Sequence, residues 1–167
     1  ARAFRHPVIV RFAHEMNGNW YPWAAGANRD RARQYVEVWR SLRALFDREG
    51  AGTVEWVWRP NVEYDGSAPM QDLYPGGDAV DWVALDGYNC GNAPGRTWQS
   101  FSQVFGPSLA TLGSIAPNKP VMIAETGCAT AGGNKAAWIR SALFAEIPLD
   151  FPEVRAVVWF NANKEQR

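Results

Sequence analysis

Two runs decide the reading of this chain: Pro7-Val8-Ile9-Val10-Arg11-Phe12-Ala13-His14-Glu15 and Pro120-Val121-Met122-Ile123-Ala124-Glu125. Each is apolar enough to form a buried strand, and each ends on a glutamate. Burying an ionised carboxylate without a partner costs several kcal/mol or neutralises it. Two glutamates at equivalent strand ends therefore point to one shared polar site. Two carboxyl groups around a single site are the minimum equipment for breaking a glycosidic bond.

Working outward, Val54–Arg59, Trp82–Tyr88 and Arg155–Phe160 read as further strands beside Val8–His14 and Pro120–Glu125. All are short and rich in Val, Ile, Trp or Phe, as buried strands are. Helices fall between them. Arg29–Glu49 repeats apolar residues at helical spacing (Tyr35, Val38, Trp39, Leu42, Leu45, Phe46), with Gly50 and Gly52 past its end. Thr97–Ile115 is a second helix that Pro107 should break or kink. Asn134–Ile147 is a third. The link Pro60–Val80 holds three prolines and reads as a long loop with at most a short helix. Alternating strands and helices define a parallel α/β sheet, either open and doubly wound or part of an eight-stranded barrel. The glycine-rich phosphate loop of nucleotide-binding sheets is missing.

Side chains alternate along a strand. With Glu15 inward, Ala13 and Arg11 follow; with Glu125 inward, Ile123 and Val121 follow. Tyr88 brings Asp86, Ala84 and Trp82. His14 stands at the strand mouth. An inward Arg11 would meet an inward carboxylate, or form a structural ion pair with Asp86. The chemistry needs one ionised carboxyl to attack and one protonated carboxyl to donate. A tyrosine or arginine beside Glu125 would keep it anionic, and Trp20, Tyr21 and Trp23 would wall Glu15 with apolar surface.

The bulk numbers exclude several classes. At 167 residues one domain is expected, with a core burying roughly 68–70% of the unfolded surface. Seventeen basic and seventeen acidic residues cancel, so neither nucleic acid nor an anionic membrane would be held by bulk charge. No stretch approaches the ~20 apolar residues of a membrane span. Nine tryptophans exceed what packing needs and suit stacking on sugar rings. The two cysteines lack metal-ligand spacing, and neither a metal nor a cofactor is expected.

His14-Glu15-Met16-Asn17-Gly18-Asn19-Trp20-Tyr21-Pro22-Trp23 resembles the acid/base segment of glycoside hydrolase family 26, the β-mannanase family. Ile123-Ala124-Glu125-Thr126-Gly127 resembles its nucleophile strand. Trp58-Arg59-Pro60-Asn61 and Asp86-Gly87-Tyr88-Asn89 are similar to it in the right order. The resemblance implies a partial (β/α)8 TIM barrel, strands 4 to 8, in an α/β protein. It implies a retaining double displacement with Glu15 as acid/base and Glu125 as nucleophile. His14 and Trp20 would line the sugar site, Tyr88 would hydrogen-bond the nucleophile, and Trp159 would form a floor under the sugar. Arg59, Asn61 and the loop 62–78 are expected near flanking subsites, or the loop is a plain surface connection.

The implied substrate is a β-mannan. β-1,3-Xylan and mixed-linkage β-glucan are alternatives, as is a non-catalytic carbohydrate-binding protein. The implied protein is secreted, acts on polysaccharide and is monomeric at full length. Family members are roughly twice this long, so the chain reads as one truncated catalytic domain that would be poorly soluble or inactive when isolated. Cys90 and Cys128 follow strands that would be barrel neighbours. A disulfide across the mouth fits an extracellular enzyme, and two free loop thiols are the alternative.

Overall fold

The computed structural model describes residues 4, 6–26 and 28–162. Five parallel strands follow chain order across one sheet: β1 (Val8–Val10), β2 (Val54–Trp58), β3 (Trp82–Asn89), β4 (Val121–Cys128) and β5 (Val154–Trp159). The helices are α1 (Arg29–Arg48), α2 (Met70–Leu73), α3 (Phe101–Ile115), α4 (Lys135–Ser141) and α5 (Ile147–Asp150), with a π segment, Ala142–Glu146, joining the last two. The sheet curls into a half-barrel, a partial (β/α)8 architecture. Among the described residues no helix is long and apolar enough to cross a membrane.

The sheet has two unlike faces. Trp56, Trp58, Val83, Leu85, Val121 and Ile123 pack outward against helix residues such as Trp39, Phe101, Phe105 and Leu109. Burying each such leucine or phenylalanine contributes about 1.5–3 kcal/mol. The inner face is small and apolar at its base, with Val57, Ala84, Met122 and Ala124. Caps fix where the helices begin. The Asn28 side chain accepts from the Asp30 and Arg31 N–H groups, at 3.0 and 3.2 Å. Ser100 and Gln103 form a reciprocal capping box on α3.

Four expectations are corrected. β1 stops at Val10, and the chain then enters an irregular loop in which Ala13 and Glu15 have φ of 43° and 53°. Alternation therefore does not carry from Glu15 back to Arg11, which is exposed. On β4, Leu85 pairs with Ile123 but Asp86 pairs with Glu125. Ala124 is an extra residue, and this bulge turns Glu125 to the inner face while Val121 and Ile123 stay on the outer one. α3 runs through Pro107 without ending. Its predecessor is Gly106, which has no Cβ to clash with the proline ring. The last helix reaches Asp150 rather than Ile147, through a wide π turn in which the Ile147 N–H donates to Ala142 O, just before Pro148, which has no N–H to give.

Candidate active site

Arg59 ties the two glutamates together. Trp58, the last residue of β2, points outward, so Arg59 turns inward, and it is only 1% exposed. Its Nε donates to Asp86 Oδ1 at 2.5 Å, and its Nη2 donates to Glu125 Oε2. Its carbonyl oxygen accepts the Glu15 N–H at 2.8 Å. One residue thus fixes one glutamate through its side chain and the other through its backbone. The cation expected from Arg11 is supplied by Arg59, which lies beneath the site rather than on an open flanking surface.

Glu15 is held in a tight loop. Its carbonyl accepts the Gly18 N–H at 3.0 Å, and the Trp20 Nε1–H donates to its Oε2 at 2.8 Å. Trp20 folds over Gly18 so closely that a Cβ there would lie 2.7 Å from the indole, and any larger residue would displace the ring from Glu15. Trp20 remains 46% exposed, presenting an aromatic surface beside the carboxyl. His14 Nε2 lies 3.1 Å from the Tyr21 hydroxyl, and the Trp23 indole donates to the His14 carbonyl at 2.9 Å. Burial, then Arg59 and Arg11, lower the His14 pKa. The imidazole is therefore neutral at neutral pH and can donate or accept without adding charge.

Glu125 shares the inner face with Tyr88, near enough for its charge to act on the Tyr88 hydroxyl. Burial first, and then the Glu125 charge, push the Tyr88 pKa up, so the phenol stays a donor. Behind Tyr88 a cleft of about 640 Å³ is lined by Asn89, Lys135, Trp159 and Phe160. Phe160 meets the Tyr88 ring edge-on at 6.1 Å. Trp159 packs edge-on against Trp138 at 6.3 Å, with Lys135 Nζ 5.8 Å from its ring centre. Trp159 borders this cleft and packs toward the helix-side residue Trp138.

Sequence reasoning named six residues that the structure gathers: Glu15, Glu125, His14, Trp20, Tyr88 and Arg59. Asn61 is near them, but its side chain donates to Val62 O at 2.9 Å, within its own loop. Asn17 was missed as a site residue although it lies inside the quoted motif. It is fully buried and bonds both backbone groups of Asn61. Its signal was available, a polar side chain two residues past the Glu15 carboxylate, but its partner is 44 residues away. The expected disulfide is overturned: Cys90 and Cys128 are not bonded to each other. Cys128 turns to the helix-facing core, where it accepts from Asn89 Nδ2 at 3.4 Å, while Cys90 is exposed.

Asp86 gives the site a pH signature. Burial pushes its pKa up to about 7, against the lowering pull of Arg59 and with help from the Glu15 and Glu125 charges. Folded Asp86 keeps a proton that the unfolded chain gives up near the ordinary carboxylate pKa. Between about pH 4 and pH 7 the native state binds more protons, so this group's contribution to stability falls as pH rises. The span corresponds to up to about 4 kcal/mol. Urea unfolding at pH 4.5 and 7.5 should show Asp86→Asn gaining relative to the parent at the higher pH. An equal offset at both values would refute this.

Five parallel strands with two glutamates joined through one arginine, at the open end of a half-barrel, form the setting in which the family can be named. The model for glycosyl hydrolase family 26 matches residues 2–141, and the chain belongs to this family. Endoglucanase H of Acetivibrio thermocellus is 40% identical over 98% of the chain, which spans 18% of its length. A mannan endo-1,4-beta-mannosidase of Bacillus subtilis strain 168 is 29% identical over 77% of the chain, which spans 32% of that relative. The catalytic domain of the endo-beta-1,4-mannanase of Bacillus sp. JAMB-750 superposes with a TM-score of 0.71 at 27% identity, covering 93% of this chain and 41% of that one. The chain thus spans less than half the length of each of these relatives.

Proposed function

We propose that this protein is a retaining, endo-acting glycoside hydrolase of β-linked polysaccharide, with β-mannan as its substrate. The observation that carries the reading is the Arg59 link between Glu15 and Glu125. A carbohydrate-binding protein needs aromatic surface but no such pair of carboxyl groups. In the first step the Glu125 carboxylate bonds to the anomeric carbon as the glycosidic C–O bond breaks, and the leaving oxygen takes the proton from Glu15. In the second step Glu15 takes a proton from water, the water oxygen bonds to the anomeric carbon, and the bond to Glu125 breaks.

The surrounding residues have roles in this scheme. Arg59 supplies the countercharge to Glu125, and the Tyr88 hydroxyl orients its oxygen. Trp20 orients Glu15 through its indole N–H and offers a ring face to the sugar. His14, neutral and steadied by Tyr21, is a hydrogen-bond partner for a sugar hydroxyl. A polysaccharide cannot enter a cell intact, so the reading places the protein outside the cell. Polysaccharide is then its only required partner.

A second reading, mixed-linkage β-glucan as substrate, is favoured by the 40% identity to Endoglucanase H over nearly the whole chain. Reducing-sugar release by the full-length protein from β-mannan, mixed-linkage β-glucan and β-1,3-xylan separates these. NMR of the first-formed product should show the β anomer; an α product would refute retention. Glu15→Ala should lower kcat on polysaccharide by about 10²–10⁴-fold. The first step on 2,4-dinitrophenyl glycosides, whose leaving group needs no proton, should be spared. Equal loss on both substrates would remove Glu15 from the acid role.

A further inference from the structure

We propose that Asn17 is a positioning residue for Glu15: its side-chain amide staples the Glu15 loop to the loop after β2, and this holds the carboxyl where it can reach the leaving oxygen. The proposal rests on the reading of Glu15 as the acid. Asn17 is 0% exposed. Its Oδ1 accepts the Asn61 N–H at 2.8 Å, and its Nδ2 donates to the Asn61 carbonyl at 2.8 Å. Its own carbonyl accepts the Ala68 N–H at 2.9 Å. The planar amide presents one acceptor and one donor side by side, which matches the N–H and carbonyl of a single residue.

The staple reaches further than one contact. Asn61 bridges to β3 at Asp86, where the Asp86 N–H donates to the Pro60 carbonyl at 3.1 Å and the Val62 N–H donates to the Asp86 carbonyl at 2.8 Å. Asn17 therefore ties the segment carrying Glu15 to the strand carrying Asp86 and Tyr88. The tie is needed because Glu15 is held at φ 53°, in the left-handed region, close after Ala13 at φ 43°. Non-glycine residues there cost of order 1–3 kcal/mol each and persist only where their surroundings fix them. The backbone bond from Glu15 to Arg59 and the Gly18 and Trp20 bonds to Glu15 act at the strained residue itself, and the Asn17 staple anchors the loop two residues on to the segment after β2. Without Asn17 the loop can relax toward ordinary φ, and the carboxyl moves.

A misplacement near 1 Å costs about 10²-fold in rate. The test measures Asn17→Ala and Asn17→Asp in the full-length protein, on polysaccharide and on a 2,4-dinitrophenyl glycoside, with Glu15→Ala alongside. The expected result for Asn17→Ala is a kcat on polysaccharide lower by about 10–100-fold, an unchanged KM, and a spared first step on the activated glycoside. Asn17→Asp keeps the acceptor for Asn61 N–H and regains the donor to the Asn61 carbonyl only when its carboxyl is protonated, so it should recover part of the loss as pH is lowered. Equal loss on both substrates, or a change confined to KM, overturns the proposal. So does failure of both variants to unfold cooperatively, which would assign Asn17 to the fold as a whole. If Glu15→Ala does not separate the two substrates, the acid assignment itself fails. If Glu15→Ala separates them and Asn17→Ala does not, only the staple fails.

Discussion

Glu125→Ala is expected to lower turnover of polysaccharide by at least about 10⁴-fold, more than about 5 kcal/mol of barrier, while polysaccharide binding stays largely intact. The carboxylate sits on the inner face only because of the bulge at Ala124, and the side chain is cut back without touching the outer core. Azide supplies a sharper readout. In Glu125→Ala the vacated face admits azide, which bonds to the anomeric carbon as the leaving oxygen takes its proton from Glu15. The product is then the α-glycosyl azide. In Glu15→Ala, azide instead displaces Glu125 from the glycosyl-enzyme and gives the β-glycosyl azide. A β product from Glu125→Ala, or turnover near the parent's, would remove Glu125 from the nucleophile role.

Arg59→Met should be the most destabilising single change at the site. Arg59 is 1% exposed and bonds Asp86, which is fully buried, and Glu125, which is partly so. Removing one partner of a buried ion pair typically costs about 3–5 kcal/mol, because the remaining charge is left uncompensated. Asp86 can escape part of that cost by holding its proton, and its pKa already lies at about 7. The loss should therefore be smaller at pH 5 than at pH 8. Arg59→Lys should recover little, since a single ammonium cannot reproduce the two divergent bonds of a guanidinium. Urea unfolding at both pH values checks the stability claim. A loss below about 1 kcal/mol at pH 8, the scale of an exposed pair, would sink it. Activity should fall in parallel, because Glu125 loses its countercharge.

Much of this was legible in the sequence. Hydrophobic runs with β-branched and aromatic residues located all five strands, and helical spacing located α1 to within a residue at its end. Two glutamates after apolar runs marked the site. These features are local: propensity, periodicity and capping act over a few residues, and the residues themselves report them. Pro107 shows the limit of a local rule, because the neighbouring glycine removed the clash that would have ended the helix.

What the sequence by itself determined was the order of the elements and the chemical types gathered at their ends. Tertiary structure alone decided that Glu15 leaves the strand for a left-handed loop, that a bulge reverses the facing of Glu125, and that Arg59 rather than Arg11 lies between the carboxylates. It also decided that Asn17 pairs with Asn61, and that Cys128 turns into the core away from Cys90. Each of these is a pairing between residues tens of positions apart. Its energy comes from satisfying buried polar groups once the sheet has closed, and short-range sequence pattern carries no record of that closure.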